Sequence, residues 1–238
     1  MGQREAEPLG CSGDDGDRHV GCLLGSSRQF VSRRLQVEVN FKSSVRPAEP
    51  GETPAVHAAV EAAFGPEEGP TVARLVGALD AAGSTRASLV ADLDGRIVGH
   101  VQLNRSWLDA RRSLVDVLVL SPLSVHPDHQ GEGIGGQLLD AAVAEAERLG
   151  APAVFLEGDP GYYAARGWSA AGPLGFVKPS ARIPDPAFQV VLLPAHQDWM
   201  RGALVYCEPF WALDCVGLRD PLLARLEGAG ATEDGPPG

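Results

Sequence analysis

One stretch limits what this chain can fold into more than any other: SLVDVLVLSPLSVHPDHQGEGIGGQLLDAAVAEAERLG, residues 113–150. It opens on a run of Leu and Val long enough for a strand and broken at Ser121-Pro122. Proline cannot donate to a β-ladder, so the break marks an edge or a bulge. A polar turn, HPDHQ, leads to GEGIGG, after which the pattern becomes helical. Ile134, Leu138, Ala142, Ala146 and Leu149 share one face, Gln137, Asp140, Glu147 and Arg148 fill the other, and Gly150 ends it. The unit is strand, defect, glycine turn, helix. Unpaired N–H groups at such a helix start, with the helix dipole behind them, make a ready anion site. Glycines there let a pyrophosphate approach the backbone.

Gly131, Gly133 and Gly136 also spell G-x-G-x-x-G, the dinucleotide fingerprint. That fold needs a strand running straight into the first glycine, then a helix and a strand carrying an acidic residue about 20 positions on. Glu157, after VFL, meets the last condition. HPDHQ, however, holds Gly131 away from the strand end at Val125, and hairpin strands rather than β-α-β repeats come first. A kinase-type glycine loop lies between two hairpin strands, whereas this one opens a helix. The plainest alternative is a surface loop whose glycines only permit a tight turn.

Around this unit, SSVRPAEPGETPAVHAAVEAAFG reads as strand, turn and helix, with Thr53 at the N-cap, Pro54 in the first turn and Gly65-Pro66 as the stop. TVARLVGALDAAG forms a second helix ended by Gly83. ASLVADLDGRIVGHVQLN is a hairpin about Asp94-Gly95. PAVFLEG is a short buried strand, PGYYAARG a short helix or turn, AFQVVLL and RGALVYC are strands, and DPLLARLEG is a helix. The order β-α-α-β-β-β-α-β-α-β-β, with local hairpins in its first half, gives an α/β mixed sheet with helices on both faces. Residues 1–42, rich in Gly, Ser, Asp and Arg without a sustained period, are expected to be a disordered extension. The ordered domain is expected over 43–220, with a helix end and a polar tail over 221–238.

A formal charge of −11 argues against nonspecific nucleic-acid binding. Four cysteines without a C-x-x-C pair or a His/Cys cluster leave no metal expected. No apolar run reaches the ~18 residues that span a bilayer, and no signal-peptide pattern opens the chain, so a cytoplasmic protein without membrane contact is expected.

LSVHPDHQGEGIGGQLL resembles the acyl-CoA-binding motif of the GNAT superfamily of N-acetyltransferases, in which a strand ending in V-x-P is followed by Q/R-x-x-G-x-G/A. Val125, His126 and Pro127 match the first part, and Gln130, Gly133 and Gly135 the second. VRPAEPGETPAVHAAVEAAF is similar to the family's opening strand and helix, DGRIVGHVQL to its central hairpin, and VFLEGDPGYYAARGW to the strand, turn and Y-x-x-x-G-F/W segment that follow. The likeness covers roughly residues 43–210 and is greatest to a bacterial subgroup of predicted N-acetyltransferases.

The resemblance implies a mostly antiparallel GNAT sheet whose fourth and fifth strands, here 113–125 and 153–157, splay apart around the pantetheine arm of acetyl-CoA. It implies that the cosubstrate's pyrophosphate lies on the backbone amides of Gln130, Gly131, Glu132, Gly133, Ile134 and Gly135. The N–H of Val125 serves the oxyanion, and Tyr163, four residues before Gly167, is the acid for the departing thiolate; Tyr162 is the register alternative. Asp116, Glu157 and His100 stand as candidate bases, with no choice among them. His126 and His129 are either phosphate contacts or exposed turn residues. Trp107, Trp199, Phe210 and Trp211 are either acceptor walls or packing residues. No cysteine near the motif suggests a covalent carrier. The expected activity is acetyl transfer to a primary amine, on a small molecule or a protein, by direct attack in a ternary complex, with a homodimer left open. A non-catalytic acyl-CoA sensor and, behind it, a dinucleotide-binding oxidoreductase are the competing functions.

Overall fold

The computed structural model describes residues 43–230. The expected extension over 1–42 and the last residues of the tail, 231–238, lie outside them, together with Cys11 and Cys22. β1 (Ser44–Pro47) leads to α1 (Thr53–Ala81), then β2 (Thr85–Leu93), β3 (Arg96–Ala110) and β4 (Leu114–Val125). α2 (Ile134–Arg148), β5 (Ala153–Glu157), α3 (Pro160–Tyr163), β6 (Ser169–Ala170), β7 (Phe188–Leu192), β8 (Gly202–Val205), α4 (Glu208–Ala212) and α5 (Leu222–Gly230) follow. The sheet order is β1-β2-β3-β4-β5-β7-β6, with β8 paired to the far end of β3. Every pairing of named strands is antiparallel except β4 with β5.

The two expected opening helices form one run, α1, broken where anticipated: Gly65 stands at φ 76°, ψ −178°. A left-handed residue of this kind is cheap only for glycine. Glu52, not Thr53, takes the N-cap position. Its carboxylate accepts from Glu49 N at 2.7 Å and pairs with Arg46 at 2.6 Å, which ties the helix start to β1. Asp94-Gly95 turns β2 into β3, both residues at positive φ, as such tight hairpins require.

Ser121-Pro122 lies in an interior strand and makes a bulge. Val101 pairs with Leu123 and Leu103 with Leu120, so Gln102 faces two β4 residues. A proline costs a ladder bond in such a place, and the freed Ser121 carbonyl accepts from Asn104 Nδ2 at 2.7 Å. Asn104 belongs to a row of β3 residues, His100, Gln102, Asn104 and Ser106, that share one face and are all fully buried. Gln102 continues the row by donating to Asn104 Oδ1 at 3.0 Å and to Thr85 Oγ1 at 2.6 Å. Burial this deep costs least where the group is bonded, as Asn104 and Gln102 Nε2 are, whereas His100 Nδ1, Gln102 Oε1 and Ser106 Oγ have no partner among the described residues.

β4 and β5 touch over two pairs, Leu118–Val154 and Val119–Phe155, and then part. α2 covers one face, where Leu138, Leu139, Ala142 and Ala146 pack on Leu89, Val101, Leu118, Val154 and Leu156. α1 and the C-terminal segments cover the other, with Leu75 and Leu79 against Val119, Phe155 and Phe210. Phe155 meets Phe176 edge-on at 5.0 Å and stacks on Phe188 at 5.7 Å, which anchors the β5–β7 half beyond the parting. Full burial of one such side chain contributes roughly 1.5–3 kcal/mol.

Candidate active site

The glycine turn sits at the parting. Gly131 and Gly133 stand at φ 81° and 85° with open space where a side chain would project, so backbone conformation is what demands glycine at both. The first bond of α2 runs from Gln137 N to Gly133 O, leaving the amides of Ile134, Gly135 and Gly136 without intrahelical acceptors. Gln130 uses its side chain as a brace, Nε2 donating to Val125 O at 3.0 Å. His126 N donates to Val98 O on β3 at 2.8 Å, so strand alternation turns the Val125 N–H away from β3, to the side from which β5 has departed. A cavity of about 490 Å³ is lined here by Val125, Gln130, Gly131, Gly133, Gly135 and both tyrosines. Glu132 and Ile134 do not line it; Ile134 instead points into the α2 core.

Gly135 differs from the other two. A Cβ there would lie 2.5 Å from the Tyr162 hydroxyl, so this glycine makes room for a tyrosine. Arg166 stacks its guanidinium 3.8 Å above the Tyr162 ring and donates from Nη1 to Tyr162 O at 2.5 Å. Sequence reasoning passed over Arg166; its spacing of four from Tyr162, one helical turn, was the available signal.

A second cleft, about 860 Å³, opens on the other side of the tyrosines between α1, the β4 bulge, the end of β5 and the segment from Tyr206 to Leu222. Leu123, Tyr162 and Tyr163 line both cavities. Tyr163 packs over Gly158, where a Cβ would come 2.3 Å from its ring, and lies edge-on to Tyr162 and Trp168. Burial pushes its hydroxyl well above the usual tyrosine range, so it stays protonated.

Of the three candidate bases, only Glu157 lines the cleft. It ends β5, its Oε2 accepts from Gly217 N at 2.8 Å, and the buried Tyr206 hydroxyl faces it. Burial raises its pKa against the pull of Tyr206, Gly217, Arg182 and Arg219. Asp116 lies far along β4, exposed and bidentate with Arg105. His100 is sealed between β3 and α1, bonded to Ser88 Oγ at 2.9 Å; burial, then the nearby His57, depress its pKa to about 4.

Phe210 lines the cleft, but Trp107, Trp199 and Trp211 do not. Trp107 and Trp199 carry Arg105 and Arg112 on their faces, and Trp211 rests beside Tyr206. His129 lines the glycine-turn cavity and contacts Glu132 at 3.4 Å; His126 lines neither cavity. Cys215, remote from the motif in sequence, does line the cleft, with burial holding its thiol protonated. Glu67, Glu68, Glu157, Asp159, Asp214 and Asp220 give the lining its acidic character against Arg219, itself bound to Asp214. Among the described residues no cluster of His, Cys, Asp or Glu could hold a metal, and no helix is long and apolar enough to cross a membrane.

A mostly antiparallel sheet that parts between two parallel strands, with a glycine turn and helix start at the parting, defines the fold of acyl-CoA-dependent N-acyltransferases. Residues 44–171 match the acetyltransferase (GNAT) domain, and the chain belongs to that family of acyltransferases. It is 32% identical over 93 residues to the uncharacterized N-acetyltransferase YjhQ of Escherichia coli K12; the match takes in 39% of this chain and spans about half, 51%, of that protein. Among solved structures it is similar to the GNAT family N-acetyltransferase YhbS of Escherichia coli in complex with CoA, at 25% identity and TM-score 0.64, over 71% of this chain and 92% of the other. It is also similar to a GNAT family acetyltransferase of Brucella melitensis in complex with acetyl-CoA, at 28% identity and TM-score 0.58, over 71% and 99%.

Proposed function

We propose that the protein transfers the acetyl group of acetyl-CoA to a primary amine by direct attack in a ternary complex. The observation that carries this reading is the shared wall: a backbone-lined cavity suited to pyrophosphate and an acidic cleft suited to an amine meet at Leu123, Tyr162 and Tyr163. The solved relatives hold CoA or acetyl-CoA, which supports acetyl-CoA as the cosubstrate here.

The acceptor ammonium gives a proton to the ionised Glu157 carboxylate. The free amine attacks the thioester carbon, and the carbonyl oxygen gains negative charge that the Val125 N–H stabilises. Collapse breaks the C–S bond, and Tyr163 protonates the departing thiolate. The second ammonium proton returns to the tyrosinate, and Glu157 releases its own proton to water. The amides of the glycine turn hold the pyrophosphate throughout. A covalent route through Cys215 is disfavoured because burial keeps its thiol protonated. The acidic lining favours a cationic amine.

The test is thiol release from acetyl-CoA against a panel of monoamines, polyamines, amino sugars and peptide N-termini, beside calorimetric titration with acetyl-CoA. Turnover with at least one amine, and no acetyl-enzyme on incubation with acetyl-CoA alone, is expected. Binding without turnover would replace the transferase with an acyl-CoA sensor. NADH binding without CoA binding would remove both.

A further inference from the structure

The cavity at the glycine turn must accept a cosubstrate with several negative charges in a protein of formal charge −11. Backbone amides supply partial charges only. Among the described residues that line this cavity, Arg166 carries the one permanent positive charge; His129 also lines it but is engaged with Glu132. Arg166 is exposed and forms no ion pair among the described residues, so its charge is open to a ligand.

Its placement is fixed from three sides. The Tyr162 ring carries the guanidinium at 3.8 Å, and Nη1 is held by Tyr162 O. Nε faces the first turn of α2, 3.8 Å from where a Gly136 Cβ would stand. The Tyr162 hydroxyl in turn rests against Gly135. The paired glycines therefore seat a tyrosine and an arginine from a distant segment directly over unpaired helix-start amides.

Resting on the acetyl-CoA reading above, we propose that Tyr162 and Arg166 form a clamp that closes the pyrophosphate site from the side opposite the glycine turn, with Arg166 bonding a pyrophosphate oxygen. A guanidinium suits this role because its planar fork matches phosphate geometry and it cannot lose its proton. The stack on Tyr162 orders the side chain before the ligand arrives, which lowers the entropic cost of binding.

The experiment compares wild type, Arg166→Gln and Arg166→Lys on three thioesters: acetyl-CoA, acetyl-3′-dephospho-CoA and S-acetylpantetheine, which has no phosphate. The expected result for Arg166→Gln is a rise in KM of about ten- to a hundredfold with both phosphorylated thioesters, the range of a lost hydrogen bond to a charged group. The penalty with S-acetylpantetheine should be at least tenfold smaller, and Arg166→Lys should fall between wild type and Gln. Equal penalties on all three thioesters mean that Arg166 only supports Tyr162, and the clamp is overturned. A penalty confined to acetyl-CoA moves the contact to the 3′-phosphate and overturns the pyrophosphate assignment. Wild type that binds acetyl-CoA as tightly as Arg166→Gln overturns the clamp alone, whereas wild type that binds no CoA overturns the acetyl-CoA reading beneath it.

Discussion

The two cavities that meet at Tyr162 and Tyr163 are built in opposite ways. The glycine-turn cavity takes most of its lining from one contiguous stretch, Val125 to Gly136, whose four glycines there offer only backbone. The larger cleft draws side chains from α1, the β4 bulge, the end of β5, α3 and the segment after β8. A phosphate has the same shape in every cosubstrate, so backbone amides can bind it with little help from side chains. An acceptor differs from one enzyme to the next, and side chains from scattered elements can change without disturbing the phosphate site. On the proposed reading, chemistry occurs where the two cavities border each other, at Leu123, Tyr162 and Tyr163.

The sharpest way to break the comparison is at the shared wall. Tyr163→Phe should lower kcat by about 10²–10⁴, the usual range for a general acid, while calorimetry finds acetyl-CoA affinity within about a factor of two of wild type. Loss of affinity in step with kcat would make Tyr163 a packing residue of both cavities rather than an acid.

Glu157→Gln acts only on the cleft side, with an expected loss of about a hundredfold in kcat/KM. The pH profile gives the sign. Glu157 accepts a proton only when ionised and burial raises its pKa, so wild-type kcat/KM should climb as pH rises through that raised value. The variant should lose this limb. A raised folded-state pKa also gives the native protein stability that is present at low pH and lost as pH rises through that value. Glu157→Gln, which mimics the protonated form, should therefore melt no lower than wild type at neutral pH.

Gly133→Val tests the backbone side. At φ 85° a branched residue is strained by about 1–3 kcal/mol, so acetyl-CoA Kd should rise roughly five- to 150-fold with near-native circular dichroism. An unaltered Kd would remove the glycine turn from the binding site. The smallest expected effect is at the cleft mouth. Glu67→Gln with Glu68→Gln should raise KM for a cationic amine about two- to fivefold at low salt and hardly at all at high salt, as solvent-screened charges do. An equal effect on a neutral acceptor would point to shape rather than charge.

The core of this design was legible from residue order. Alternation and helical periods located the elements, Ser121-Pro122 marked the bulge, and GEGIGG before an amphipathic helix marked the glycine turn. These signals are local, because strand, turn and helix propensities act over a few residues. Even so, the N-cap moved to Glu52, because an ion pair with Arg46 on another element fixes the helix start. The three tryptophans that stood as either acceptor walls or packing residues line neither cavity, since an aromatic residue gives no sign in sequence of which cavity it faces.

By itself, then, the sequence determined the class of fold, the glycine turn and Tyr163 as the residue four before Gly167. Only the tertiary structure separated Glu157 from Asp116 and His100, carried Cys215 to the cleft, tied Asn104 to the freed Ser121 carbonyl and set Arg166 over Tyr162. Burial and the approach of distant segments made those decisions. Both depend on how the sheet twists and on which helix covers which face, and neither is encoded in any short run of residues.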